Sequence, residues 1–117
     1  MPGLPQERQD QALEALRRIG VHARESNLAR IGLLEEAVDA AADGWLDRSG
    51  RDRAAGMAHT IAGSAETFGF ADITGPACEL EDLFRADQLT PEQVETARTR
   101  IAGIRASLDA GPTQLGQ

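Results

Sequence analysis

Few side chains in this 117-residue sequence are suited to covalent or metal chemistry. It contains two histidines, His22 and His59, and one cysteine, Cys78, and all 12 of its basic residues are arginine. One cysteine cannot form an internal disulfide, and together with two histidines it is too few for a dedicated zinc site. The remaining chemistry is that of histidine, whose neutral ring is nucleophilic near pH 7, or that of the 19 carboxylates.

The overall composition restricts the partners. Acidic residues outnumber basic residues by 19 to 12, and the resulting net charge of −7 is the wrong sign for a nucleic-acid backbone. No apolar run approaches the roughly 18 to 20 residues of a membrane span, and the first residues lack the pattern of a signal peptide. We therefore expect a cytoplasmic, single-domain protein that binds neither nucleic acid nor membranes.

The elements that must position these residues are helices. Twenty alanines and 12 leucines, against nine valines and isoleucines, favour helices over sheets. Apolar residues spaced three and four apart predict five helices, at about residues 6–19, 26–43, 49–68, 73–87 and 91–108, with Gly20, Gly44 and Gly69 as stops. Pro76 lies either in the first turn of the fourth helix or at a kink.

Short links between these helices predict antiparallel neighbours. The expected fold is all-α: an up-and-down antiparallel four-helix bundle over residues 1–110 with an additional short N-terminal helix, followed by a flexible tail at 111–117. Thr90, Pro91 and Gln93 form a start signal for the last helix, and Ser49 resembles a cap for the helix that carries His59. Trp45 is expected to close one end of the bundle.

His59 is predicted to point away from the core. At about 100° per residue it projects about 160° from Ile61, which shares the apolar face of its helix. Its own side of the helix carries four small side chains and two charged ones: Asp52, Ala55, Gly56, Ala62, Gly63 and Glu66. Glycines cost roughly 1 kcal/mol each inside a helix, so this stripe favours a close approach by a partner. A surface histidine in an alanine-rich chain would show the same pattern, so spacing alone leaves both interpretations open.

Two segments carry a family resemblance. AHTIAGSAETFGF, from Ala58 to Phe70, and ACELEDL, from Ala77 to Leu83, resemble histidine-containing phosphotransfer (HPt) domains. That family has His-x-Leu/Ile-Lys-Gly-Ser/Ala on one helix and a Cys-x-x-Leu-Glu-like segment on the next. The first segment is especially similar to the phosphotransfer domain of chemotaxis histidine kinases. The predicted helix order is compatible with this family.

The resemblance implies that His59 accepts a phosphoryl group on Nε2 and exchanges it with the aspartate of a response-regulator receiver domain, with a histidine kinase as the other partner. Glu81 would orient the ring through Nδ1, and Gly63 would keep the approach open. The residues expected to dock partners are Ala55, Gly56, Ala62 and Glu66. We expect a phosphocarrier and not an enzyme, because no glycine-rich nucleotide loop occurs that an autonomous kinase would need. We also expect a monomer without a cofactor of its own, and Mg²⁺ on the receiver.

One position departs from the family pattern. Ala62 stands where the family usually has a lysine that compensates phosphoryl charge, and this chain has no lysine. Arg85, or more remotely Arg53, is a candidate replacement. Glu81 also has a simpler interpretation, as a solvated charge paired with Arg85 one turn away. Two alternatives for the whole chain remain: a phosphorylation-independent adaptor or structural bundle, and an excised phosphotransfer domain of a chemotaxis-type histidine kinase.

Overall fold

The computed structural model of the protein describes residues 6–111, which form four α-helices and no strand. The helices are α1 (Gln6–Ala42), α2 (Arg48–Phe68), α3 (Ala71–Arg85) and α4 (Pro91–Ala110). Each helix packs against the next, and α4 packs against α1, so the helices form a closed all-α bundle. The predicted tail lies outside the described residues except for Gly111.

Polar contacts between α1 and α4 fix the relative direction of these two helices. The contacts join Arg98 to Asp39 at 2.7 Å, Arg105 to Glu35 at 2.7 Å, and Arg24 to the carbonyl of Leu108 at 2.7 Å. As the residue numbers rise in α4 they fall in α1, so the two helices are antiparallel, as the short links predict.

The helix α1 runs through Gly20 without a break. The prediction of a separate N-terminal helix ending at Gly20 is therefore wrong, because residues 6–19 belong to one helix of 37 residues. A glycine that ends a helix usually takes a left-handed conformation, as Gly44 and Gly69 do at φ 77° and 83°. Gly20 keeps a negative φ, and the roughly 1 kcal/mol that a glycine costs inside a helix does not end it.

The core is built from side chains of all four helices. The largest fully buried apolar residues are Ile31, Leu34, Ile61, Ile73, Leu80, Phe84, Ile104 and Leu108. On α2 the buried residues are alanines except for Ile61, so this helix can approach its neighbours closely. This close packing holds α2 and α3 side by side, and these two helices carry His59 and Glu81.

Asn27 is a buried polar residue that the apolar spacing does not reveal. Its amide donates to the hydroxyl of Ser64 on α2 at 3.0 Å, and its carbonyl accepts from Arg30 at 2.8 Å. A buried amide is stable only when its hydrogen bonds are satisfied, so this contact favours one register between α1 and α2. It lies about one and a half turns from His59 along α2.

The helix ends confirm one predicted cap and correct another. Thr90 and Gln93 form a complete capping box at the start of α4. The cap of α2 is Asp47 and not Ser49: its carboxylate accepts from the backbone of Gly50 at 2.8 Å. The prediction for Trp45 is also wrong, because its side chain is 81% exposed and the neighbouring leucine packs against the core instead.

Candidate functional site

His59 lies near the middle of α2 and points outward, as predicted. Its side chain is 74% exposed, while Ala58 on the preceding position is buried in the core. The other histidine, His22, is also exposed but lies on α1, and it is not part of this site.

Glu81 of α3 reaches the histidine across the helix interface. Its Oε1 lies 3.1 Å from His59 Nδ1, and its side chain is only 18% exposed. A carboxylate oxygen can only accept, so this contact holds the ring proton on Nδ1. In the neutral ring, Nε2 then carries the free lone pair. The structure thus brings together the two residues that the sequence singles out as acceptor and orienting group.

Arg85 holds the second oxygen of the same carboxylate. Its Nε and Nη2 donate to Glu81 Oε2 at 3.1 Å and 2.8 Å, while the imidazole uses Oε1. The simpler interpretation of Glu81, as the partner of Arg85, is therefore correct but incomplete. The carboxylate bridges the guanidinium of Arg85 on α3 and the imidazole of His59 on α2, and this fixes its plane relative to the histidine ring.

The carboxylate is electrostatically stabilised. The hydrogen bonds from Arg85 and, second, from His59 lower the pKa of Glu81, and partial burial opposes them only in part. Glu81 therefore stays ionised at pH 7 and can stabilise positive charge on the ring.

We expect Arg85 to lower the pKa of Glu81 more than His59 does. A group with a lowered pKa stabilises the fold above its unfolded pKa, and that contribution is lost as the pH falls through the lowered value. In the variant Arg85→Ala the Glu81 pKa should rise toward that of a free glutamate, and in His59→Gln it should rise by less. Carboxyl NMR titration measures both. A larger rise in His59→Gln would contradict this order.

The face around His59 is smaller than the sequence predicts. Ala55 and Ala62 are buried, so their predicted exposure to a docking partner is wrong. The reason is that α2 packs against both α1 and α3, and its buried arc extends beyond the face defined by Ile61. Gly56 and Gly63 are exposed, with open space at the position of a Cβ, and Glu66 is exposed as well.

The exposed histidine of α2 and the carboxylate of α3 lie within the part of the chain that a family comparison covers. A model of the Hpt domain matches residues 23–110. The chain belongs to the Hpt domain family. No match was found among curated proteins or among solved structures. The HPt domain begins within α1, so the first part of that helix precedes it.

Neither a metal-ion cluster nor a membrane-spanning helix occurs within residues 6–111. No group of three or more histidine, cysteine or acidic side chains there could hold a metal ion. None of the described helices is long and apolar enough to cross a membrane. Cys78, on the outer side of α3, is exposed and unbridged.

Pro76 lies inside α3, which begins at Ala71, and not in its first turn. Its ring nitrogen cannot donate a hydrogen bond, so the helix lacks one internal bond there. The helix nevertheless continues to Arg85 and presents Glu81 and Arg85 on one side. The segment beyond Pro76 therefore carries both α3 residues of the site.

Proposed function

We propose that this HPt domain carries phosphoryl groups between a histidine kinase and the receiver domain of a response regulator, with His59 as the acceptor. The observation that carries this proposal is the contact between His59 Nδ1 and Glu81, which leaves Nε2 as the nucleophilic atom of an exposed ring.

The transfer step follows from this arrangement. The Nε2 lone pair attacks the phosphorus of an aspartyl phosphate, a new N–P bond forms, and the acyl P–O bond breaks. The aspartate leaves as a carboxylate, and the ring becomes an N-phosphorylated imidazolium whose positive charge faces Glu81. Transfer onward to a second aspartate is the reverse sequence. Mg²⁺ held by the receiver supplies charge neutralisation on the phosphoryl oxygens.

Arg85 contributes chiefly by holding Glu81. Its side chain is 55% exposed and already donates twice to that carboxylate. Ala62, where the family usually has lysine, is buried and brings no charge to the site. We therefore expect cations of the partner to compensate the negative charge of the phosphoryl group. Arg85 is the candidate on this chain for the same role.

The test is transfer from a receiver domain carrying a labelled phosphoryl group. Label on this chain that is lost in acid and stable in alkali identifies an N–P bond, because acyl phosphates are labile in alkali. Label that is lost in alkali as well as in acid would place the phosphoryl group on a carboxylate and overturn the proposal.

Glu81→Gln is expected to slow transfer by at least about 10- to 100-fold, the cost typical of removing a carboxylate that orients a metal-bound histidine. An amide can donate as well as accept, so the ring is no longer held with its proton on Nδ1. The matched control is Glu79→Gln on the same helix, where the carboxylate pairs with Arg100 of α4 at 2.7 Å. Rapid-quench transfer rates for both variants check this. Equal rates would remove the role of Glu81.

A further inference from the structure

The first part of α1 extends beyond the bundle. The molecule measures 62 Å along its longest axis and 26 Å along the next, although α2 spans only about 31 Å at 1.5 Å per residue. Arg24 contacts the end of α4, and a Cβ at Gly20 would lie 4.0 Å from Phe68. We call residues Gln6–Ile19 the projecting segment. It precedes residue 23, where the family match begins.

The projecting segment carries a row of apolar side chains, here called the apolar seam, that no other residue within 6–111 buries. Leu13, Leu16 and Ile19 are 56%, 62% and 53% exposed. Leu13 and Leu16 continue the line of the buried residues Ile31 and Leu34 along the helix, at spacings that keep one face. The core-facing stripe of α1 thus continues past the end of the bundle. Exposed apolar side chains aligned in this way usually mark an interaction surface.

The charges of the projecting segment are self-complementary. Three acidic residues, Glu7, Asp10 and Glu14, balance three basic residues, Arg8, Arg17 and Arg18, so the segment is neutral within a chain of net charge −7. Asp10 and Arg17 are seven residues apart and flank the same side of the seam. When two such helices pack antiparallel, the residues on this side of one helix face those on the same side of the other. Asp10 of one chain then faces an arginine, Arg17, of the other chain.

We propose that two copies of the chain associate through their projecting segments as an antiparallel helical pair. Leu13 of each copy packs beside Leu16 of the partner subunit, and Asp10 lies across from Arg17 of the partner subunit. In the single chain Arg17 pairs with Glu14 at 2.8 Å, but both side chains are largely exposed, and such surface pairs exchange readily. A neutral segment suits a like chain better than an anionic membrane, which favours basic helices. This proposal departs from the sequence-based expectation of a monomer.

The dimer should be weak. A seam of about four turns buries less than the roughly 1,200–2,000 Å² of a standard interface, so the two chains should separate on dilution. The contact uses neither His59 nor Glu81. Failure of the dimer therefore leaves the proposed phosphotransfer untouched, and the reverse also holds.

Sedimentation velocity from low micromolar to near-millimolar concentration tests the seam. The wild-type chain should pass from monomer to dimer, and Leu13→Asp with Leu16→Asp should raise the dissociation constant at least about tenfold. The matched control is Leu33→Asp, which removes an equally exposed leucine (50%) from the bundle part of α1 and should leave association unchanged. Circular dichroism checks that both variants fold. A wild-type chain that stays monomeric over this range overturns the proposal.

Charge exchange tests the antiparallel register. Asp10→Arg places two arginines opposite each other in each contact, and Arg17→Asp places two aspartates there, so each variant alone should dissociate. An equimolar mixture restores both attractive contacts and should dimerise like the wild type. A mixture that stays monomeric overturns the register, because Asp10 and Arg17 are too far apart to interact within one helix. Association of monomeric chains with anionic vesicles instead of with each other also overturns the proposal.

Discussion

Replacing His59 by glutamine will reduce phosphoryl transfer to this chain to background. Glutamine has no nucleophilic nitrogen, because the amide lone pair is delocalised, so no N–P bond can form. The fold should be retained: the side chain is 74% exposed, and exposed substitutions usually change the free energy of unfolding by no more than about 0.5 kcal/mol. The measurement is transfer of labelled phosphate from a phosphorylated receiver, with urea unfolding of the same sample.

His22→Gln is the matched control for this prediction. It removes the only other histidine, which is also exposed on a helix, and should leave transfer at the wild-type rate. Label that persists in His59→Gln would show that the acceptor lies elsewhere. The adaptor alternative makes a different prediction, because His59→Ala should then leave binding and signalling intact. Loss of signalling with retained receiver binding separates the two functions.

The sequence predicts the fold well where a local signal decides the structure. The capping box at Thr90 and Gln93 is complete within four residues, and it forms as predicted. The stop at Gly20 is wrong because a glycine ends a helix only when its backbone turns left-handed, and that depends on the chain around it. Residue type alone does not distinguish Gly20 from Gly69.

The sequence predicts which residues belong to the candidate site better than it predicts which neighbouring side chains are exposed. The family resemblance predicts His59 as the acceptor and Glu81 as its orienting group, and their side chains lie 3.1 Å apart. Ala55 and Ala62 were expected on the exposed face, but the width of the buried arc depends on how many helices pack against α2. The apolar spacing does not mark Asn27 as buried, and its partner Ser64 is set only by tertiary packing.

Gly63→Leu is expected to slow phosphoryl transfer at least about tenfold. A Cβ at this position meets nothing within 4 Å and the position is exposed, so we expect the fold to tolerate the change. Side chains on a helix lean toward its N-terminus and cover the preceding turn, which here carries His59. A leucine would therefore lie over the imidazole and obstruct the in-line approach of an aspartyl phosphate. The matched control is Gly103→Leu on α4, which is also exposed with open space around it.

The alanine variants at the same two positions separate access from stability. Gly63→Ala and Gly103→Ala should each raise the free energy of unfolding by about 0.5–1 kcal/mol, because alanine loses less backbone entropy in a helix and neither position is crowded. Only the change at Gly63 should affect transfer, and alanine should affect it less than leucine. Such a result means that the glycine costs stability and is useful only because it keeps Nε2 of His59 accessible. Wild-type transfer in Gly63→Leu would remove the access role and leave Gly63 as an ordinary helix glycine.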